Sequence, residues 1–516
     1  MPPSLSPRGR NTVVCGVVGS EDAESSIPAV PRRTMIEIVR EFWPQLFGAL
    51  VVALSAVLTV RVILDKRDER AAVGWVGLIW LSPVLGAVLY MMLGVNRIRR
   101  RADRLRHHRE RAVDAAGQAQ VDQHAGAEPP PEPVGQLPYL SNLIDKVTPT
   151  PLTSGNAIVP LFNGDDAYAA MIDAINGAER SVGLCSYIFN NDRAGRLFVD
   201  ALGAAVDRGV EVRVMIDGLG SLYSIPSVVS RLRKRGVPVA RFLHSFVPWR
   251  MPYLNLRNHR KIMVVDGRIG FTGSMNIREE YLSLVTDAPI KDIHFRLDGP
   301  VVAHMAETFA EEWAFTTDEI LSGDAWFPAI GSAGDVVARG VVDGPDLEFD
   351  RLRWTLLGAV TEARKSIVIV TPYFLPGQTL ATALMLAAMR GLQVDIILPD
   401  ANNLVFIKWA AAAQVDEILL AGCRIWMSPA PFDHSKLMLV DDTWTLFGSA
   451  NWDPRSLRLN FEFNVECYDS KLAGRLQRLV SGKLANARPL TLDELRERSL
   501  PVKVRDGIAR LFAPYL

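Results

Sequence analysis

Cysteine is scarce in this sequence and net charge is absent. The four cysteines, Cys15, Cys185, Cys423 and Cys467, stand far apart. They lack the paired spacing of a zinc site or a small disulfide framework and read as free thiols, which permits a cytosolic catalytic part. Lys plus Arg and Asp plus Glu each count 57, which removes any whole-surface attraction to nucleic acid and leaves only local charge to consider. There is also no extra Asp/Glu/His cluster at metal-ligand spacing, so neither a metal nor another cofactor is expected. At 516 residues the chain exceeds one ordinary core, and more than one domain is expected.

Long apolar runs are present. Ala71 to Val95 is 25 residues without a charge, which at about 1.5 Å per residue exceeds a bilayer core of roughly 30 Å. An earlier run, Leu46 to Val60, follows Phe42 and Trp43 and precedes Arg61, which could snorkel. Residues 42–96 are therefore expected to hold two transmembrane helices in a hairpin. Arg97, Arg99, Arg100, Arg101, Arg104 and Arg106 crowd the exit of the second run, and the positive-inside rule then puts everything after residue 97 in the cytoplasm; a multi-pass protein of the cell inner membrane is the expectation. The same cluster would lie against anionic headgroups. Residues 1–34, rich in Pro, Ser and Gly, are expected to be disordered, and Met35 is a candidate start. Residues 97–150, basic and then Pro/Ala/Gln-rich, read as a linker.

The remainder repeats itself. Ala178 to Val182 leads into a β-like run ending at Phe189, then a helical pattern, then the run Gly209 to Asp217. Ala363 to Ile367 leads into a run ending at Phe374, then a helical pattern, then Gly391 to Asp400. Two copies of strand, helix, strand predict two similar α/β halves, 151–330 and 331–516, each with parallel strands and helices on the sheet faces.

Each half then reaches a histidine motif. In the first, His259, Lys261 and Asp266 are followed after six residues by Gly273, Ser274 and Asn276. In the second, His434, Lys436 and Asp441 are followed after six residues by Gly448, Ser449 and Asn451. One such motif would be weak evidence; two at identical spacing inside a repeat are not coincidence. On a strand, positions i and i+2 share a face, so each His and Lys should point into one site. If the halves pack about a pseudo-twofold axis, both histidines and both lysines converge on one phosphate. One neutral imidazole can attack phosphorus while the other, protonated, donates to the leaving alkoxide. The lysines would neutralise the equatorial oxygens, and Ser274, Asn276, Ser449 and Asn451 would bind the substrate through hydrogen bonds. An attacking imidazole needs a carboxylate to hold its tautomer. Glu462 is the candidate for His434, and Asp292 for His259, with Glu279 and Glu280 as rivals. Asp266 and Asp441, though part of the catalytic motifs, read as structural, pairing with a base at the strand end.

These residues resemble the phospholipase D superfamily signature, HxKxxxxD followed by GSxN, present twice. The fuller stretches around His259, Gly273 to Tyr281, Gly448 to Leu457 and Asn460 to Glu462, together with two N-terminal apolar segments, resemble bacterial cardiolipin synthases over about residues 40–516. The resemblance implies an α/β fold of two phospholipase D-like halves with mixed sheets flanked by helices, preceded by the transmembrane hairpin. It implies a phosphatidyltransferase that condenses two phosphatidylglycerol molecules to cardiolipin and glycerol through a phosphohistidine, with His259 as nucleophile and His434 as general acid and then base. Its partners would be phosphatidylglycerol, other anionic phospholipids and the membrane, with no nucleic acid. Cys185 and Ser186 before Tyr187 depart from the family pattern, where an aromatic is expected. Hydrolysis to phosphatidic acid uses the same residues and stays open, as does an inactive membrane scaffold; a nuclease is disfavoured by the apolar runs and the lack of a basic stripe. The apolar loop Phe246 to Tyr253 could admit acyl chains or simply pack. The amphipathic segment Ile508 to Leu516 could dock on the protein body or touch a bilayer.

Overall fold

The computed structural model describes residues 35–66, 69–91, 137–223, 226–243, 256–345, 350–402 and 404–511. The chain divides into two compact units, residues 1–90 and 91–516. The N-terminal extension, the basic cluster, most of the linker and the loop Phe246 to Tyr253 lie outside the described residues.

In the first unit a helix runs from Met35 to Asp65, and its stretch Phe42–Asp65 is, among the described residues, the one helix long and apolar enough to cross a membrane. The second apolar run departs from the expected continuous helix. It forms Glu69–Leu81 and Pro83–Leu89, broken at Ser82. Pro83 supplies no amide hydrogen to a continuing helix and its ring clashes with the preceding turn. The chain doubles back there so tightly that a Cβ on Gly86 would lie 2.4 Å from the Leu78 carbonyl oxygen. Trp80 Nε1 donates to Thr59 Oγ1 at 3.0 Å, tying this segment to the long helix.

Among the described residues, the second unit is built on sixteen strands: β1 (Thr153–Phe162), β2 (Ser181–Ser186), β3 (Glu211–Asp217), β4 (Val239–Phe242), β5 (Arg257–Asn258), β6 (Ile262–Val265), β7 (Ile269–Gly273) and β8 (Ile293–Asp298) in the first half, and β9 (Val336–Asp343), β10 (Ser366–Val370), β11 (Gln393–Pro399), β12 (Arg424–Ser428), β13 (Leu437–Val440), β14 (Trp444–Gly448), β15 (Asn460–Tyr468) and β16 (Arg488–Pro489) in the second. Their order is β16-β12-β11-β10-β13-β14-β15-β9-β1-β8-β7-β6-β2-β3-β4, with β5 pairing β15. Read outward from the β1/β9 contact, the two directions run through equivalent strands. β2, β3 and β4 are mutually parallel, as are β10, β11 and β12; the hairpins β6/β7 and β13/β14 and their neighbours are antiparallel.

Parallel strands need helical crossovers that cover the sheet. The helix Arg193–Asp207 shows how the chain makes one. Asp192 caps it by accepting from Gly195 N, and Phe198, Val199, Leu202 and Ala205 bury one face. A cluster shared by both halves forms the middle of the molecule, where Phe295 of β8 stacks on Phe447 of β14 with centroids 3.6 Å apart. The halves therefore share this cluster and one strand network, and each half also has a buried cluster of its own. The linker read as extending to residue 150 ends sooner: Pro138–Val147 is a helix whose Leu140 and Ile144 are buried against the second half's Leu352 and Leu356. Asp145 in that helix pairs with fully buried Arg339 of β9, which also pairs with Glu466.

Candidate active site

The HxK triplets were expected within strands, but they lie just ahead of them, His259 to Lys261 before β6 and His434 to Lys436 before β13. Each triplet is held by the opposite half. The short strand β5 runs parallel to the start of β15, and His259 N donates to Phe461 O at 2.9 Å. His434 N donates to Lys291 O at 2.8 Å.

The carboxylate partners are crossed relative to expectation. Glu462 faces His259, not His434: Nδ1 lies 3.0 Å from both carboxylate oxygens. Asp292 faces His434, not His259, with Nδ1 to Oδ2 at 3.0 Å. The reason is topological. β8 and β15 are the strands that flank the central pair β1/β9, so a carboxylate at the start of either reaches across the junction to the other half's histidine. The rivals serve elsewhere: Glu279 accepts from Arg193 N and Glu280 pairs with Arg278.

The motif serines also differ from expectation. Ser449 Oγ donates to Glu462 Oε2 at 2.5 Å, and Ser274 Oγ donates to Asp292 Oδ1. Both are buried, and their hydroxyls steady the carboxylates. The result is two relays of serine, carboxylate and histidine, each assembled across the halves. Gly273 and Gly448 make this possible: at φ of +151° and +156° they bring the serine loop against the next strand, and a Cβ on Gly448 would lie 2.4 Å from Phe463 O. Asn276 Oδ1 accepts from Ile188 N at 3.1 Å, and Asn451 Nδ2 donates to Ser456 Oγ at 3.3 Å.

Asp266 and Asp441 sit at the far ends of β6 and β13 and, among the described residues, pair with no base. Asp266 accepts from the amides of Glu179, Arg180 and Ser181, and Asp441 from those of Arg364, Lys365 and Ser366. They pin the segments that lead into β2 and β10, which explains why the repeat begins with matching residues there.

Burial drives the electrostatics. It pulls both imidazoles down to about 4: Glu462 works against the fall at His259, whereas Lys436 deepens it at His434. Burial also lowers Lys261 to about 7 and Lys436 to about 8. It opposes ionisation of Glu462, but His259, Lys261 and Ser449 outweigh it and bring that carboxyl down to about 2. Asp292 is likewise lowered, burial being outweighed by His434, Lys436 and Ser274. Both histidines are thus neutral near pH 7, with Nδ1–H donated to a carboxylate and Nε2 carrying the lone pair.

The two motifs are not equivalent. Each lysine donates to the carbonyl oxygen of its own motif's histidine, Lys261 at 2.5 Å and Lys436 at 3.1 Å, but Lys436 Nζ also lies 3.0 Å from Nε2 of His434. Two tyrosines were missed in the sequence. Tyr187 packs edge-on to the His259 ring at 5.0 Å with Lys261 Nζ 5.3 Å from its centroid, and Tyr281 OH lies 3.4 Å from His434 Nδ1. For Tyr187 the signal was its place at the end of the first repeat's strand run. Arg260 was also passed over. It bonds Glu312 at 2.7 Å within its own half and the carbonyls of Glu462 and Asp343 in the other.

Comparison with known proteins gives a consistent picture. The family described as cardiolipin synthase, PLD-like domain, matches residues 171–313 and 356–482, and one described as phospholipase D-nuclease N-terminal matches residues 53–94. The major cardiolipin synthase of Bacillus subtilis (strain 168) is 30% identical over 483 residues, covering 91% of this chain and 98% of its own. A cardiolipin synthase of Staphylococcus aureus (strain N315) is 29% identical over 486 residues, covering 91% and 96%. The crystal structure of a phosphatidylserine synthase from Haemophilus influenzae Rd KW20 shares the fold, with a TM-score of 0.58 and 15% identity over 73% of this chain and 100% of that one. The N-terminal match and the apolar helix together mark a membrane-associated protein.

Proposed function

The chain belongs to the cardiolipin synthase family built on phospholipase D-like domains, and from that premise we propose that it transfers a phosphatidyl group between two phosphatidylglycerol molecules, releasing glycerol. The observation that carries this reading is the pair of crossed relays, which gives one site two neutral, oriented imidazoles and two buried lysines.

His259 Nε2 attacks the phosphorus of the first phosphatidylglycerol. A P–N bond forms, the P–O bond to the headgroup glycerol breaks, and His434 Nε2–H protonates the departing oxygen. The anionic phosphate, lying between the two motifs, supplies the opposite charge that raises the His434 pKa from about 4 and lets it carry that proton. In the second step the primary hydroxyl of another phosphatidylglycerol gives its proton to His434 and attacks phosphorus, the P–N bond breaks, and cardiolipin leaves with His259 restored. Glu462 stabilises the charge that develops on the His259 ring, and Lys261 and Lys436 stabilise the phosphoryl oxygens. Assigning attack to His259 is supported by the lysine asymmetry, since Lys436 engages the attacking nitrogen of His434 and Lys261 leaves that of His259 clear.

The N-terminal apolar runs anchor the enzyme in the cytoplasmic membrane, and Arg97 to Arg106 keep the catalytic body on the cytoplasmic side. Anionic phospholipids are then the natural substrates, drawn by the same arginines. The test is to incubate the detergent-purified full chain with phosphatidylglycerol and identify the products by mass spectrometry. Cardiolipin plus glycerol, absent with His259→Ala, is the expected outcome. Phosphatidic acid without cardiolipin would make the enzyme a hydrolase.

A further inference from the structure

The C-terminal helix Leu500–Leu511 packs on Val405–Ala412 through Ala509, which meets Ala410 and Leu375 in a small buried cluster. Asp506 is buried beside Ala509 and paired with both Arg498 and Arg505. That is one face. On the other, Leu500, Val504, Ile508 and Leu511 are exposed by 73%, 52%, 51% and 77%. At about 100° per residue these four fall within one quarter-turn of the helix, opposite Ala509 and Asp506. A helix that only docked on the protein body would put polar residues there.

The charges around the stripe share a sign. Lys503 and Arg510 border it on one side and Arg505 on the other, while Asp506, the one acidic residue of the helix, is turned inward. Past Arg505 the apolar surface continues. The Arg505 guanidinium lies 4.2 Å from the Trp409 ring centroid, and Trp409 sits 5.2 Å from Phe406, which is 54% exposed next to half-exposed Val405 and Leu404. An outward apolar stripe with a cationic border is the pattern of a helix lying in the plane of a bilayer interface, its chains in the acyl boundary and its cations at the headgroups.

We propose that the outer face of Leu500–Leu511, extended by Phe406, is a membrane-docking surface that seats the catalytic body on an anionic lipid bilayer, independently of the N-terminal anchor. The inference rests on the enzyme being membrane-associated and does not depend on the reaction it catalyses. Val405–Ala412, on which the helix packs, follows the end of β11 at the same end of the sheet as Lys436, so docking there would bring the site toward lipids that stay embedded.

The full chain in a Cys15→Ser background, with Val504→Cys or Ile508→Cys labelled by a fluorophore, would be reconstituted in phosphatidylglycerol/phosphatidylcholine vesicles. The other three native cysteines are buried. Lys471→Cys, at a side chain 88% exposed, is the control. Labels at 504 and 508 are expected to be quenched by brominated acyl chains and shielded from aqueous iodide, and the label at 471 the reverse. Iodide access at 504 and 508 equal to that at 471 overturns the proposal. So does shielding that appears in lipid-free detergent and grows with protein concentration, which would mean a second copy covers the face. Val504→Asp/Ile508→Asp should lower turnover on vesicles several-fold and leave turnover of monomeric short-chain phosphatidylglycerol unchanged; equal turnover on both also overturns it. If no variant or wild-type protein forms product, the synthase reading fails while the quenching result still decides the docking.

Discussion

At the scale of single residues, the proposed mechanism gives the two histidines the same kind of chemistry with different partners, and the difference can be measured. Glu462→Gln and Asp292→Asn should each slow cardiolipin formation by roughly 10²- to 10⁴-fold, since each leaves an imidazole without the group that holds its tautomer and charge. They separate on a substrate whose leaving group needs no proton, such as a phosphatidyl p-nitrophenyl ester. Release of nitrophenol in the first step should be near normal in Asp292→Asn, because His434 is not required as acid, and still slow in Glu462→Gln. The opposite pattern would reverse the assignment of nucleophile.

The pH dependence follows from the same groups. As the proposed nucleophile His259 would attack only when neutral, and with its pKa lowered to about 4 that form is complete above this value and lost below it. In the same proposal Lys261 and Lys436 would hold the phosphate only when charged. With pKa values lowered to about 7 and about 8, that charge is complete below and lost as pH rises through them. With the nitrophenyl ester, whose first step does not need His434 as acid, the kcat/KM profile is expected to climb through about pH 4, level off, and fall between about 7 and about 8. A profile still flat well above pH 8 would mean the lysines stay charged in the free enzyme.

At the scale of elements, the last residue of each motif is bonded as a hairpin residue, and a structural role is the expectation to test. Asp441 turns the chain with φ at +52° and accepts three amides at 2.7 to 2.9 Å. Asp441→Asn removes the charge from these bonds and exchanges an acceptor oxygen for a donor. It should cost about 1–3 kcal/mol, read as a lower denaturant midpoint, while the folded fraction keeps near-normal kcat. A loss of kcat without a loss of stability would return Asp441 to the reaction. The βαβ units and the motif spacing were legible because strand and helix periods are local. The break at Ser82 was signalled by Pro83 but masked by the length of the apolar run. The helix Pro138–Val147 was hidden by the Pro-rich composition just before it, although Leu140, Ile144 and the Pro at its first position carried the pattern.

At the scale of the molecule, the halves work as one body. Arg339, wholly buried at the junction, meets Glu466 of β15 and Asp145 of the helix that precedes the first half. Arg339→Met leaves Glu466 charged and buried without its partner, so a loss of about 3–5 kcal/mol is expected, measurable by chemical denaturation; a change near zero would mean the site relaxes or hydrates. What the sequence by itself determined was the chemistry on offer: two HxK motifs at equal spacing in a repeat, two serines, two candidate carboxylates and an amphipathic C-terminus. Periodicity and spacing are properties of neighbours along the chain, and they suffice for that. Which carboxylate serves which histidine was decided only by tertiary structure, because Glu462 and His259 are 203 residues apart and meet only through the order of strands at the junction. The same holds for the C-terminal helix, whose sequence shows two usable faces. Only the packed molecule determines which one is occupied and which is left to meet something else.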